Sequence, residues 1–161
     1  MTATSELRAV TSWGRVKRHS VPVARPRFDD EIGGVIGAPQ RSMLGIGLGR
    51  SYGDSALNGS GQLVDMTALD RIIAFDAERG VIRADAGLTL TELLRVTVPH
   101  GWFLPTTPGT RYVTLGGAVA NDVHGKNHHS AGTFGRSVLR IGLFRSDGGA
   151  IEIGPDCEPE L

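Results

Sequence analysis

Glycine constrains this chain more than any other feature, because 23 of its 161 residues are glycine, roughly twice the usual share. The glycines occur in clusters without a fixed period, which excludes a collagen-like or low-complexity chain. A cluster of glycines predicts a tight turn or a place where the backbone approaches a ligand closely. We therefore expect a globular domain whose binding groups lie on glycine-rich loops at the ends of short strands.

Composition narrows the possible partners. Lys+Arg and Asp+Glu both number 17, so the basic face of a nucleic-acid-binding protein is not expected. The single cysteine, Cys157, excludes an internal disulfide and a multi-cysteine zinc site. No apolar run approaches the ~18 residues of a membrane-spanning helix, and no apolar signal segment opens the chain. We expect an intracellular protein without a transmembrane segment or a nucleic-acid partner.

The pattern of short apolar runs predicts a small α+β unit. Residues 1–27 are polar, and Pro22 and Pro26 disfavour regular structure there. Thr89 and Glu92 have capping-box spacing at the start of the clearest helix, which Pro99 ends. The predicted helices are residues 28–36, 89–98 and a start at 116–121, and the predicted strands are residues 42–46 (a buried strand), 63–65, 71–76, 80–85, 139–144 and 150–153.

The last two strands flank Ser-Asp-Gly-Gly at residues 146–149, which is a strong hairpin signal. Only an acidic tail follows this hairpin, and no later element covers it. We therefore expect the chain to be part of a longer protein.

Residues 45–55, the glycine-rich loop, form the first candidate site. Alternate glycines let successive N–H groups turn inward and form an anion-binding nest, while Arg50 and Ser51 add a charge and a hydroxyl suited to phosphate oxygens. The dinucleotide fingerprint fails, because Tyr52 stands where its third glycine is required, and no Walker lysine follows. From spacing alone, a phosphate-binding loop and a tight structural turn both stay open.

Residues 108–118 form a second cluster, in which Pro108-Gly109 makes a turn and Gly116-Gly117 permits close approach. If a helix starts at Thr114 or Gly116, its free N–H groups would bind a second phosphate. Close packing of a helix on a sheet is the alternative, and from spacing alone it is the better supported one.

Residues 121–132, the histidine loop, hold three of the five histidines and one of only two lysines. His124 and His128 have the i, i+4 spacing of metal ligands, but Gly125 weakens a helix there and no glutamate accompanies the pair. We therefore predict no metal and favour a loop that lines a polar ligand. For His129, a solvated or capping role is preferred.

Taken in order, the three clusters resemble the FAD-binding domain of the vanillyl-alcohol-oxidase-type flavoproteins, also called the PCMH-type or FAD-linked oxidase domain. The run His-Gly-Lys-Asn-His-His at residues 124–129 is the most specific part, and Trp13-Gly14-Arg15 resembles the N-terminal segment of the same family. Within the family, the chain is most similar to sugar-lipid oxidases of cell-wall arabinan synthesis. The resemblance implies the N-terminal portion of an α+β PCMH-type domain. Residues 1–27 would be an N-terminal extension and residues 28–161 an incomplete FAD-binding domain, without the substrate domain.

The resemblance implies FAD as the cofactor and assigns roles along the chain. The glycine-rich loop would bind the pyrophosphate, Gly109 and residues 114–117 would follow the ribityl and phosphate portion, and residues 121–124 would border the isoalloxazine ring. The implied catalytic residues are His124, close to the reacting face, and Lys126, whose cation suits a phosphate or a sugar oxyanion. The implied cofactor-binding residues are Gly45, Ile46, Gly47, Leu48, Gly49, Arg50, Ser51, Tyr52, Gly53, Asp54, Ser55, Gly109, Thr114, Leu115, Gly116, Gly117, Asn121, Asp122, Val123 and His124.

The implied reaction is hydride transfer from a secondary sugar hydroxyl to the flavin, which gives a ketone. The substrate would be a small or lipid-linked sugar, a reductase partner would complete an epimerisation, and the location would be cytoplasmic or peripheral to the inner membrane. Two alternatives stay open: an alditol or aldonolactone oxidase, and a catalytically inactive FAD-binding fragment. Sugar-acid and alditol oxidases of this family commonly tether the flavin through a histidine at the position that Tyr52 holds here. Tyrosine cannot form that link, so we predict noncovalent FAD. We expect little turnover by these residues alone.

Overall fold

The structure is a computed structural model that describes residues 5–37, 41–145 and 149–157. The chain forms two compact units. The first unit comprises Met1–Ala68 and Leu139–Leu161, and the second comprises Leu69–Val138. The strands are β1 (Glu6–Thr11), β2 (Arg18–Ala24), β3 (Met43–Ile46), β4 (Gln62–Asp65), β5 (Ile72–Asp76), β6 (Val81–Ala84), β7 (Ile141–Arg145) and β8 (Gly149–Ile153). The helices are α1 (Asp29–Ile36), α2 (Leu90–Thr97), α3 (Leu115–Ala120) and α4 (His128–Ala131), with 3₁₀ turns at Met66–Ala68, Val98–His100 and Phe134–Ser137.

The first unit is built on a four-stranded sheet in the order β1-β2-β4-β3. β1 pairs antiparallel with β2, whereas β4 pairs parallel with both β2 and β3. Val21, Val23 and Leu63 form its buried core. β7 and β8 form a separate antiparallel pair. Because β3 ends at Ile46, the sheet leads the chain directly into the glycine-rich loop.

The expectation that residues 1–27 lack regular structure was wrong, because β1 and β2 lie within them. Pro22 stands inside β2, opposite Leu7 of β1. On its other side β2 is paired with β4 only at Val23 and Ala24. Most of that side therefore needs no ladder bonds, which is the setting in which a strand tolerates proline.

The remaining predicted elements are confirmed, with boundaries shifted by a residue or two. β3 is half-buried rather than buried. The turn at residues 146–148 and the tail at 158–161 lie outside the described residues, but the pairing of Arg145 with Gly149 confirms the predicted hairpin.

The second unit packs α2 and α3 around a core of Leu90, Ala118 and Phe134. One half of the predicted capping box forms at the start of α2, because the Thr89 side chain accepts a hydrogen bond from the Glu92 N–H at 3.1 Å. The Glu92 carboxylate pairs with Arg95 instead. β5 and β6 form an antiparallel hairpin that precedes α2. The helix cap and the hairpin are local in sequence, which is why sequence patterns predict them well.

A buried carboxylate fastens the β5–β6 hairpin. Asp85 accepts hydrogen bonds from the Arg71 Nε at 2.7 Å and from the Arg71 backbone N–H at 3.3 Å, and its side chain is only 5% exposed. We expect Asp85→Ala to lower the free energy of unfolding by about 1–3 kcal/mol, because the Arg71 backbone N–H and guanidinium lose a buried charged acceptor. Urea unfolding measures this loss.

The matched control is Glu92→Ala, which breaks a pair of the same 2.7 Å length with Arg95 on an exposed helix face. Its expected cost is below about 1 kcal/mol. Equal losses from the two variants would contradict the role assigned to Asp85.

Candidate functional site

The glycine-rich loop begins where β3 ends and turns by means of two glycines. Gly49 and Gly53 both have a φ of +63°, a conformation that other residues rarely adopt. Apart from the adjacent residues, no heavy atom of the described part of the chain lies within 4 Å of the position where a Cβ would stand on Gly45, Gly49 or Gly53. The loop is therefore shaped by its glycines, and its backbone is open to a ligand at these positions.

The loop also presents free hydrogen-bond donors. Among the residues that the structure describes, no acceptor is bonded to the backbone N–H groups of residues 48–53. The Arg50 side chain folds back, since its Nη1 donates to the Leu48 carbonyl at 2.9 Å, and Tyr52 is 84% exposed. Unpaired amides in a glycine turn form an anion-binding concavity. The donor set fits the pyrophosphate of FAD.

The Asp54 carboxylate is bound by two side chains of the first unit. One carboxylate oxygen accepts a hydrogen bond from the Ser12 hydroxyl at 2.8 Å, and the other lies 3.0 Å from the Lys17 ammonium. Lys17 first, and then Ser12, holds the pKa of the Asp54 carboxyl below its usual value. The carboxylate is therefore charged at neutral pH and compensated. Sequence reasoning missed both partners, although the Trp13-Gly14-Arg15 resemblance pointed to their segment.

The second cluster shows close packing, not free donors, at the start of α3. A helix does begin at Leu115, but the N–H groups of its first three residues are already bonded within the second unit. The bonds run from Leu115 to the Leu88 carbonyl (2.7 Å), from Gly116 to the Ala86 carbonyl (2.7 Å) and from Gly117 to the Thr114 hydroxyl (3.1 Å). α3 thus packs closely on residues 86–88 and bonds to their backbone, in line with the close packing that spacing alone favoured.

The rest of this cluster is more open. Gly109 is exposed and has no heavy atom within 4 Å of its Cβ position. Arg111 lies over the ring of the next residue, Tyr112, with its Cζ 5.4 Å from the ring centroid. Its hydrogen bond to the hydroxyl holds the pKa of Tyr112 below the usual value. Gly109 is therefore the member of this cluster that leaves most room for a ligand.

In the histidine loop, the residues before His124 shape the backbone. The Asn121 Nδ2 donates to the Gly117 carbonyl at 2.8 Å. Asp122 has a φ of +39°, and its carboxylate accepts the Gly135 N–H at 2.8 Å. His124 then pairs with Thr133 through an isolated β-bridge. These bonds fix the backbone at His124 without using its side chain.

The side chains of His124 and Lys126 are both exposed. The His124 ring meets the His128 ring edge-on with centroids 5.2 Å apart, and His128 meets His129 at 5.6 Å. The Lys126 ammonium has no hydrogen bond or ion pair with any described residue. Nowhere in the described ranges do three His, Cys, Asp or Glu side chains gather as metal ligands do. The loop thus offers an imidazole and an uncompensated cation.

The sequence of the chain matches a known protein family. A family profile described as an FAD binding domain matches residues 23–154. The chain therefore belongs to the FAD-binding domain family of FAD-linked oxidases, and its cofactor is FAD. The α+β architecture of short strands and few helices agrees with the PCMH-type fold of that family.

Among individual relatives, decaprenylphosphoryl-beta-D-ribose oxidase of Mycolicibacterium smegmatis is 46% identical over 121 residues, which is 73% of this chain and 26% of that protein. A mitochondrial L-galactono-1,4-lactone dehydrogenase of Oryza sativa is 24% identical over 97% of the chain and 27% of its own length. L-gulonolactone oxidase of Mus musculus is 28% identical over 72% of the chain and 26% of its own length. The chain thus spans about a quarter of the length of these relatives. None of the helices in the described segments is long and apolar enough to cross a membrane.

Proposed function

We propose that this chain is the FAD-binding part of an oxidoreductase that oxidises a secondary hydroxyl of a lipid-linked sugar to a ketone. The observation that carries the proposal is the 46% identity to a decaprenylphosphoryl-ribose oxidase, against 24% and 28% for the lactone enzymes. The free cation of Lys126 supports it, because a polyprenyl-phosphate sugar carries a phosphate that a lysine can bind. The boundary between an N-terminal extension (residues 1–27) and an FAD-binding domain (residues 28–161) belongs to the same proposal.

The residues that would hold FAD follow from the donors that are free. The amides of residues 48–53 would bind the pyrophosphate, and Gly109 would allow close approach of the ribityl and phosphate portion. Residues 114–117 would border it, and residues 115–117 would donate no N–H groups to it, since theirs are taken. Residues 121–124 would border the isoalloxazine ring. When bound, FAD supplies the two-electron acceptor that no amino-acid side chain offers.

The sugar loses a hydride from its C–H bond and a proton from its O–H bond, which leaves a carbonyl. We propose that the His124 imidazole accepts the proton, because imidazole is a common general base. Lys126 would bind the substrate phosphate or stabilise the negative charge that develops on the sugar oxygen. Both side chains are exposed on the histidine loop, as a group that meets a substrate has to be.

The proposal extends to a partner and a location. A reductase that returns the ketone to a hydroxyl of the opposite configuration would complete an epimerisation. A substrate with a polyprenyl tail would bring a cytoplasmic enzyme to the periphery of the inner membrane. Both statements depend on the proposed substrate class, and both fail if the polyprenylphosphoryl ribose does not bleach the flavin in the test below.

Tyr52 leads to a prediction about the linkage of the flavin. Since tyrosine cannot form a histidyl link, FAD is expected to be noncovalent. Acid precipitation of the FAD-loaded chain should release the yellow colour into the supernatant, as absorption near 450 nm would show. The unloaded chain carried through the same steps is the control. Colour retained in the pellet would contradict this prediction and favour an oxidase with tethered flavin.

The substrate class is tested with the full-length protein under anaerobic conditions. Mixing the holoenzyme with a polyprenylphosphoryl ribose should bleach the oxidised flavin absorbance. Mixing it with L-gulono-1,4-lactone should not. Bleaching by the lactone alone would establish the lactone-oxidase alternative, and bleaching by neither would favour a catalytically inactive FAD-binding protein.

A further inference from the structure

The turn between β1 and β2, residues 12–17, contacts the glycine-rich loop at two points. At the first, Ser12 and Lys17 bind the two carboxylate oxygens of Asp54, at 2.8 and 3.0 Å. At the second, Trp13 lies under the Arg50 guanidinium, with 5.3 Å between its ring centroid and the Arg50 Cζ. Residues 51–53, whose amides are free, lie between the two contacts. The turn thus contacts the loop on both sides of residues 51–53, whose N–H groups have no acceptor among the described residues.

The turn is well placed to act as a fixed support. It is closed by Thr11 and Arg18, the last paired residues of the antiparallel β1–β2 ladder. Within it, the Arg15 N–H donates to the Ser12 carbonyl at 3.0 Å, and Ser12 is only 4% exposed. The glycine-rich loop that the turn contacts lacks the intrinsic rigidity of such a closed turn. Glycine-rich backbone loses more conformational entropy on ordering than any other, so an external support matters more there.

We propose that Ser12, Trp13 and Lys17 are positioning residues that hold the glycine-rich loop in its FAD-binding form through Asp54 and Arg50. This inference rests on the proposed binding of the FAD pyrophosphate at that loop. Two physical effects support it. A loop ordered before binding loses less entropy when the ligand arrives. In addition, Lys17 compensates a carboxylate that would otherwise repel a diphosphate bound to the same loop.

The charge effect predicts an unusual pattern among variants. Lys17→Met leaves Asp54 charged and uncompensated, so FAD affinity should fall about 10-fold. Asp54→Asn loses the support but also removes the repulsion, so affinity should fall only about 3-fold. The double variant should bind no more weakly than Lys17→Met alone, which is a clear departure from additivity. Lys17→Arg keeps the charge and should stay within about 2-fold of the wild type.

A purely structural role would leave a different signature. The side chains of Lys17 and Asp54 are 63% and 39% exposed, and exposed ion pairs contribute little to stability. The melting temperature of the FAD-free chain should therefore not distinguish Lys17→Met from the wild type. The matched control is Arg140→Met, which breaks another exposed pair of the first unit, 2.6 Å long, with Glu152. It should change neither FAD affinity nor melting temperature.

The experiment measures FAD dissociation constants by quenching of flavin fluorescence, at two salt concentrations, for the full-length protein and for these variants made in it. The predicted pattern, with a Lys17→Met effect that shrinks at high salt, supports the inference. Wild-type binding with additive losses, or equal losses from Lys17→Met and Arg140→Met, overturns the inference and leaves the proposed function intact. A wild-type chain that does not bind FAD at all contradicts the proposed placement of FAD and the inference with it.

Discussion

Replacing Gly116 by valine is expected to unfold the second unit, with a loss of about 3 kcal/mol or more in the free energy of unfolding. A Cβ at this position would stand 2.9 Å from the Ala86 Cβ and 3.1 Å from the Ala86 carbonyl oxygen. Neither atom belongs to a flexible side chain. Moving α3 away would also break the 2.7 Å bond from the Gly116 N–H to the same carbonyl. Sterics and hydrogen bonding therefore oppose the substitution together.

Hydrogen exchange of the full chain measures this loss and locates it. Amides of residues 69–138 should lose protection, whereas those of the β1–β2 pair should be affected less. Gly109→Val is the matched control, because it adds the same side chain to the same unit where no heavy atom lies within 4 Å. Retained protection in the Gly116→Val variant would show that α3 and Ala86 are not packed as described.

The limits of sequence reasoning for this fold follow from the distance over which each contact acts. The cap of α2 was predictable because Thr89 and Glu92 are three residues apart and bond directly. The strand at Pro22 was not, because what permits a proline there is the short pairing of β2 with β4, some 40 residues later. The sequence left open whether the first amides of α3 are free for a similar reason, since the acceptors of Leu115 and Gly116 are carbonyls of an earlier loop.

The candidate site shows the same division. The glycines at positions 49 and 53 could be recognised as turn formers from their clustering in the sequence, and the structure gives both a positive φ. The partners of Asp54 could not, because Ser12 and Lys17 come from a segment that looked irregular. A charged residue inside a glycine-rich loop could face a ligand or its own chain. Only the three-dimensional arrangement separates these cases.

The largest effect on activity is expected from His124→Ala in the full-length holoenzyme. Loss of a general base typically slows a reaction by about 10²- to 10⁴-fold, so flavin reduction by a polyprenylphosphoryl ribose should slow by that range. FAD affinity should change far less. The backbone at His124 is held by its bridge to Thr133, and the side chain makes a ring contact with His128 and no hydrogen bond or ion pair with a described residue. Anaerobic stopped-flow absorbance measures the reduction rate, and titration with FAD measures the affinity.

The control for this prediction is His129→Ala, which removes a second exposed imidazole from the same loop. The His129 ring meets the His128 ring, with centroids 5.6 Å apart, and His129 has no assigned part in binding or chemistry. Its reduction rate should therefore match the wild type, and a similar loss in both variants would point to a general disturbance of α4. An unchanged rate in His124→Ala would remove His124 from the proton transfer. In that case Lys126, the other exposed side chain proposed to act on the substrate, would become the residue to test.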